Sequence, residues 1–223
     1  MRTPGIGVRA TGRRVLRPRA RRQAAARDAY KLCSLLLCYP DEELLAARSE
    51  LAVLAADVSA SLERFCGWWA GEEPRTLQEH YVTTFDLHKR CGLYLSYYDQ
   101  GDRRSRGVGL LRLKRMYRAG GLPLADGELP DYLPAMLEFA AAAPDGWGEV
   151  MLREHQPALE LLAAGLRERP TPYADVVDAV CELVGPPSAA DRARAAAIAA
   201  EGPPTELVGL EPGAAAQMLE VGR

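Results

Sequence analysis

Aromatic, cationic and acidic side chains are concentrated in one stretch of this 223-residue chain, from Tyr81 to Phe139. Five rings come first and three arginines follow them: Tyr81, Phe85, Tyr94, Tyr97 and Tyr98, then Arg103, Arg104 and Arg106. Aromatic rings offer large contact areas at a small entropic cost, and arginine pairs with carboxylates or phosphates. This combination favours binding of another polypeptide over transformation of a small molecule.

A second group of candidate residues stands in the segment ELPDYLPAMLEF, residues 128–139. Asp131 is predicted near a helix start, where a carboxylate interacts favourably with free backbone amides and the helix dipole. Glu138 follows two helical turns later. From these residues alone, capping with one exposed glutamate is the favoured interpretation, and a binding site for cations is the alternative.

The aromatic and arginine runs each have an ordinary structural explanation. Tyr94 and Tyr98 share a helical face, so we expect about half of the rings to be buried for packing and the rest to line a groove. A charge run is most often a solvated helix start. Cations at a helix N-terminus oppose its dipole, however, so local stability does not explain Arg103, Arg104 and Arg106.

Catalytic and metal sites are not indicated. The segment GVGLLR, residues 107–112, lacks the preceding strand and the third glycine of a nucleotide-binding loop. No Ser or Cys nucleophile stands in a recognisable turn, and His80 has no second ligand at a metal spacing. We therefore predict that the protein is not an enzyme.

The charge is distributed unevenly along the chain. Residues 1–27 carry nine arginines and no acid, which leaves 19 basic against 30 acidic residues, a formal charge of −11, in the rest. A basic arm of this kind is typical of nucleic-acid or anionic-membrane binding, and also of a solvated extension. Nucleic-acid binding through this arm is the alternative function, disfavoured by the acidic body and the lack of a helix suited to reading bases.

The hydrophobic pattern predicts an all-α protein, because apolar residues recur at helical spacing and strand signals are nearly absent. We expect a first helix from Asp28 to Tyr39, a long helix from Arg104 to Ala119, and another beginning at Pro130 or Asp131. The predicted organisation is a basic extension at 1–27, one helical domain at 28–201 and a loose tail at 202–223. In total we expect about eight to nine helices.

The expected location is the cytoplasm. No apolar run approaches the roughly 20 residues that a membrane-spanning helix needs, so no membrane insertion is expected. The five cysteines form no CxxC pair and have apolar neighbours, as reduced and buried thiols do.

Three segments carry a resemblance to a known family: YKLCSLLLCYPDEEL, YVTTFDLHKRCGLYLSYYDQGDRRSRG and ELPDYLPAMLEFA. In order and spacing they closely resemble the nitrate reductase assembly chaperones (NarJ), a branch of the all-helical TorD and DmsD-like redox-enzyme maturation proteins. The resemblance implies a single-domain helical bundle of the TorD/NarJ type. Tyr132 stands where relatives often have histidine, so no role that needs an imidazole is carried over to this position.

The resemblance also implies a function. A chaperone of this branch binds the N-terminal peptide of the nitrate reductase catalytic (alpha) subunit and enables insertion of the molybdenum cofactor before membrane docking. In this sequence, apolar anchors of the client would meet Tyr81, Phe85, Tyr94, Tyr98, Leu133 and Leu137. Client cations would meet Asp86, Asp131 and Glu138, and client acids or cofactor phosphates would meet Arg104 and Arg106.

Further partners and cofactors follow from the same resemblance. It implies cofactor-delivery proteins as a second class of partner. We expect no tightly bound cofactor, with any contact to the client's molybdenum bis-guanine-dinucleotide cofactor being transient.

Overall fold

The computed structural model describes residues 18–99, 103–125 and 127–201. These ranges form twelve α-helices: α1 Pro18–Leu36, α2 Glu42–Ala46, α3 Arg48–Val58, α4 Ala60–Gly71, α5 Pro74–Tyr81, α6 Ser96–Asp99, α7 Arg103–Ala119, α8 Leu133–Ala142, α9 Trp147–Glu154, α10 Gln156–Arg167, α11 Tyr173–Val184 and α12 Ala189–Glu201. A π-helical turn continues α5, and two 3₁₀ turns occur later: Val82–Asp86, then Lys89–Cys91 and Pro144–Gly146. The all-α prediction is confirmed. The described helices outnumber the predicted eight to nine because several are very short.

Local sequence signals set many of the helix ends. Asp41 accepts a hydrogen bond from Leu44 N at 2.8 Å and caps α2, and Ser59 caps α4 in the same way. Pro74 is the first residue of α5, where its missing amide costs nothing. α9 and α10 are separate helices, because Pro157 at the start of α10 lacks the amide that would continue the hydrogen bonding of α9.

Two predicted helix starts are wrong, and α1 also ends at Leu36 rather than at Tyr39. α1 begins at Pro18 rather than Asp28, because the alanine-rich segment before Asp28 continues the helix. α8 begins at Leu133, since Tyr132 has an extended backbone and takes part in a bridge described below. The division of the chain at residue 27 stays a prediction, and residues 1–17 and 202–223 lie outside the described ranges.

The core lies around α1. This helix packs against α3, α8 and α11, while α4 packs against α3 and α11. Ser34 of α1 donates a buried hydrogen bond to the carbonyl of Pro134 at 2.8 Å. α10 fills the space between α11 and α12.

α9 approaches α8 so closely that only glycine fits at the contact. A Cβ atom at Gly148 would lie 2.1 Å from Ala140 Cα. This close contact holds α9 on α8, the helix that contains the second half of the segment 128–139, called the acidic motif below. None of the described helices combines the length and the apolar character that a bilayer span requires.

Candidate functional site

A single antiparallel bridge joins the aromatic run to the acidic motif. Leu95 N donates to Asp131 O at 3.0 Å, and Leu133 N donates to Leu93 O at 2.8 Å. Tyr94 and Tyr132 therefore face each other as a non-hydrogen-bonded pair, in which side chains come closest.

The alternation of an extended chain sorts these residues between surface and core. Tyr94 and Tyr132 point outward and are half-buried. Their neighbours point inward and are buried: Leu93, Leu95, Asp131 and Leu133. The bridge therefore exposes two rings and buries a carboxylate.

Five tyrosines form a continuous series of contacts, here called the tyrosine row: Tyr39, Tyr81, Tyr132, Tyr94 and Tyr97. The ring centroids of Tyr39 and Tyr81 are 5.5 Å apart, and the hydroxyls of Tyr81 and Tyr132 are 3.3 Å apart. Tyr132 and Tyr94 have centroids 5.2 Å apart, and Tyr94 and Tyr97 have centroids 6.2 Å apart. Tyr39 is 44% exposed at one end and Tyr97 is 39% exposed at the other, whereas Tyr81 is 5% exposed and supports the row from the core.

The pKa values of the two central hydroxyls of the row, those of Tyr132 and Tyr94, are raised above the ordinary value for tyrosine. Burial raises the pKa of Tyr132 to about 12. Burial also raises the pKa of Tyr94, and the charges of Asp131 and Asp86 add to this effect. A row of neutral phenols presents ring surface together with hydroxyls that donate or accept hydrogen bonds.

Several carboxylates lie close enough to the tyrosine row to raise the pKa of groups in or beside it. Asp86 is exposed, and its charge contributes to the raised pKa values of Tyr94 and Tyr132 after burial. Cys38 lies near Tyr132 and contributes to its raised pKa. Burial raises the pKa of Cys38 itself, and the charges of Glu138, Asp41 and Glu128 raise it further. Lys31, which pairs with Glu138, offsets part of this negative charge. The remaining carboxylates make this side of the row complementary to a basic segment.

Asp131 does not cap a helix, contrary to the sequence-based expectation. It is fully buried, and one carboxylate oxygen, Oδ2, accepts a short hydrogen bond from Ser96 Oγ. Arg106 Nη2 lies 3.6 Å from the same oxygen, and Arg106 Nε donates to Ser96 Oγ at 2.9 Å. The guanidinium carbon of Arg106 lies 3.8 Å from the ring centroid of Tyr97. The acidic motif, the arginine run and the tyrosine row thus meet in one cluster.

Most of the other predicted site residues do not line the expected groove. Four lie in the core rather than on a groove wall: Tyr81, Phe85, Leu133 and Leu137. Their apolar periodicity is satisfied by packing, which is the ordinary outcome for such a pattern.

The remaining predicted residues are polar or partly exposed. Tyr98 is half-buried and donates to Gly92 O at 3.0 Å. Glu138 is exposed and forms an ion pair with Lys31 of α1. Arg106 faces inward rather than toward a client acid. The side chain of Arg104 lies outside the described part of the structure.

Three residues of the cluster and the row were missed by sequence reasoning: Tyr39, Ser96 and Tyr132. Tyr97 was recognised as part of the aromatic run but not predicted as a binding residue. For Tyr132 only a partial signal existed: Leu133 on one side is apolar, as both neighbours of Tyr94 are, but Asp131 on the other side is acidic. For Ser96 and Tyr39 no local signal exists. Their partners are distant in sequence.

Other candidate sites are weak. In the described ranges, no group of three or more His, Cys, Asp or Glu side chains could hold a metal ion. A shallow depression of about 380 Å³ lies beside Tyr39, between that ring and α5 with the turn after it. It extends the surface at one end of the tyrosine row.

Comparison with known proteins identifies the family. The family described as nitrate reductase delta subunit matches residues 51–178. The Bacillus subtilis (strain 168) protein named probable nitrate reductase molybdenum cofactor assembly chaperone NarJ is 36% identical over 153 residues, covering 66% of this chain and 83% of that protein. The Escherichia coli (strain K12) protein named nitrate reductase molybdenum cofactor assembly chaperone NarJ is 31% identical over 159 residues, covering 68% of this chain and 67% of that protein.

A solved structure agrees with these relatives. The crystal structure of a putative redox enzyme maturation protein from Archaeoglobus fulgidus has a TM-score of 0.53 and 25% identity, covering 69% of this chain and 90% of that chain. The resemblance to nitrate reductase assembly chaperones is confirmed, and the chain belongs to the nitrate reductase delta subunit family.

Proposed function

We propose that this protein is an assembly chaperone for respiratory nitrate reductase that binds the N-terminal peptide of the catalytic subunit. Membership of the family and the names of its relatives support the chaperone role. In this proposal the bound catalytic subunit stays open for insertion of its molybdenum bis-guanine-dinucleotide cofactor and docks on the membrane subunit only afterwards.

The tyrosine row is the observation that carries the peptide-binding part of the proposal. Its exposed and half-buried rings offer anchors for apolar client side chains, and tyrosine is enriched in protein interfaces for this reason. Asp86 is an exposed carboxylate available to client cations, and Glu138, which is also exposed, would exchange its ion pair with Lys31 for a client cation. A client segment that alternates apolar and basic residues fits this surface.

The buried members of the predicted site have a supporting role in this proposal. Phe85 packs against Tyr81 with ring centroids 4.9 Å apart, and Tyr81 contacts both Tyr39 and Tyr132. Leu133 and Leu137 belong to the acidic motif and are fully buried. These side chains fix the position of the row and contact the client only if the surface opens.

Calorimetric titration with a synthetic peptide tests the proposal. The peptide copies the N-terminus of the nitrate reductase catalytic subunit from the same genome, and a scrambled peptide of equal charge is the control. We expect saturable binding with a dissociation constant of about 1 μM or below, equivalent to about −8 kcal/mol. Equal heats from the two peptides, with a protein of native helical circular dichroism, would overturn it.

A further inference from the structure

Arg106 occupies a site whose three sides each suit a guanidinium group. The ring of Tyr97 stacks on the guanidinium at 3.8 Å, Ser96 Oγ accepts from Nε at 2.9 Å, and Asp131 Oδ2 lies 3.6 Å from Nη2. An aromatic face, a hydroxyl and a carboxylate together bind arginine better than lysine, because the planar cation stacks and donates at once. Ser96, Tyr97 and Asp131 are called the guanidinium site below.

Arg106 does not satisfy all the hydrogen-bonding groups of this site. Asp131 Oδ1 and Arg106 Nη2 are both buried and have no hydrogen-bond partner among the described residues. The side chain of Asp131 is 0% exposed, so water does not reach this oxygen from the surface. A guanidinium placed side by side with the carboxylate would donate to both oxygens, the stronger arrangement. The site therefore has unused capacity for an arginine that approaches in another orientation.

The helical segment that carries Arg106 is weakly held. Between residues 106 and 111 no side chain is fully buried, and Val108 and Leu111 are 67% and 59% exposed. From residue 106 onward, the first buried side chain of α7 is Leu113. This stretch also contains Gly107 and Gly109, which weaken a helix, and a Cβ atom at Gly107 would meet no atom within 4 Å. Packing does not explain glycine at that position.

The start of α7 is electrostatically unfavourable as well. Its first turn contains arginines and no acidic residue, so the charges oppose the helix dipole. Contacts of Arg106 in the guanidinium site offset this disadvantage. Within segment 106–111, Arg106 donates a side-chain hydrogen bond to the body of the protein, and Leu110 is half-buried.

We propose that Ser96, Tyr97 and Asp131 form an arginine-binding site that Arg106 occupies in cis and that an arginine of the client peptide takes over as segment 106–111 lifts away. The identity of the incoming arginine rests on the proposed function, whereas the existence of the site does not. Arg106 is then an internal competitor at the Tyr97 end of the tyrosine row. It keeps a buried carboxylate paired until the client arrives.

Removing the Arg106 side chain, which empties the guanidinium site, tests the proposal directly. The full-length Arg106→Ala variant is titrated with N-acetyl-arginine amide while its melting temperature is recorded, and N-acetyl-lysine amide is the charge-matched control. We expect the arginine compound to raise the melting temperature by about 4 °C at about ten times its dissociation constant. The unmutated protein and the lysine compound should show no such rise. Equal effects of the two compounds on the variant would overturn the proposal.

A second measurement decides the question even if Arg106→Ala does not fold. Amide hydrogen exchange of the unmutated protein compares segment 106–111 with segment 113–119 of the same helix. We expect the first to exchange at least about tenfold faster, because local opening releases it without unfolding the core. Equal protection of the two segments would mean that α7 opens as one unit and that Arg106 is not displaced alone.

These tests separate the inference from the proposed function. Neither contains a client peptide, so arginine binding by the vacated site stands or falls without it. Binding of the catalytic-subunit peptide, combined with no arginine preference in the variant, would leave the chaperone proposal intact and remove the arginine site.

Discussion

Tyr94 and Tyr132 face each other across the bridge that joins two segments well separated in the sequence. Their rings form the middle of the tyrosine row, and their flanking residues are buried. One short pairing therefore determines both which rings the surface offers and which carboxylate the core contains. Substitutions of the surface rings should therefore affect binding, and substitutions of the buried carboxylate should affect stability.

Removing a ring from the middle of the row should weaken client binding. We expect Tyr94→Ala to raise the dissociation constant of the catalytic-subunit peptide about thirtyfold, equivalent to about 2 kcal/mol, because a half-buried aromatic anchor is lost. Calorimetric titration measures the change. Val53→Ala removes an exposed apolar side chain on α3 and should leave the affinity unchanged. Equal effects of the two substitutions would contradict a binding role for the row.

Asp131 and Glu138 should differ sharply in their effect on stability. Asp131→Ala leaves Arg106 without its buried counter-charge, and we expect the free energy of unfolding to fall by about 2–4 kcal/mol. Glu138→Ala removes an exposed ion pair with Lys31 and should cost less than about 1 kcal/mol. Urea unfolding followed by circular dichroism measures both. Similar losses would mean that the buried cluster contributes no more than a surface pair.

The contact between α8 and α9 should tolerate no side chain at Gly148. A Cβ atom there would lie 2.1 Å from Ala140 Cα, so Gly148→Ala must push the helices apart. We expect a loss of about 1–3 kcal/mol or more. Gly67→Ala is the matched control, because a Cβ at Gly67 in α4 meets no atom within 4 Å and should add about 0.5–1 kcal/mol. Thermal unfolding of the two variants should show shifts of opposite sign.

Stability should depend on pH through His80. Its ring centroid lies 5.2 Å from that of Trp68 and 5.9 Å from that of Tyr173, and Nε2 lies 2.9 Å from Thr171 Oγ1. Burial lowers the pKa of His80 from its ordinary value of 6.5, although the charge of Glu72 opposes this shift. The unfolded chain therefore takes up this proton at a higher pH than the folded protein does.

The sign of the effect follows from this difference. As pH falls from about 6.5 toward the pKa of the folded state, the free energy of unfolding should decrease. Urea unfolding at pH ~7.5 and ~5.5 measures the slope. His80→Gln should reduce it. An unchanged slope in His80→Gln would assign the pH dependence to other groups.

Helix identity was largely predictable from local sequence. The caps at Asp41 and Ser59, the early proline of α5 and the break before Pro157 each depend on residues within one or two turns. The start of α8 was not predictable in this way. Its position depends on the pairing of Tyr132 with Tyr94, and a signal for helix capping at Asp131 was overridden by that contact.

The candidate site was likewise only partly predictable from the sequence. Sequence identified the segments, because aromatic, basic and acidic side chains in this order are unusual and match a known family. It did not separate core from surface within them, since a helical stripe of Tyr81 and Phe85 has the same pattern whether it faces the core or a groove. Ser96 carried no signal of its own, and only its hydrogen bonds with Asp131 and Arg106 give it a role.

The sequence by itself determined the all-α class, the positions of most helix ends and the family, because each depends on residue types and spacing along the chain. The tertiary structure decided that Asp131 is buried with Ser96 and Arg106, and that Tyr39, Tyr132 and Tyr97 belong to one row. These relationships join residues that are distant along the chain. They arise only when the extended segments around Tyr94 and Tyr132 pair and bury alternate side chains.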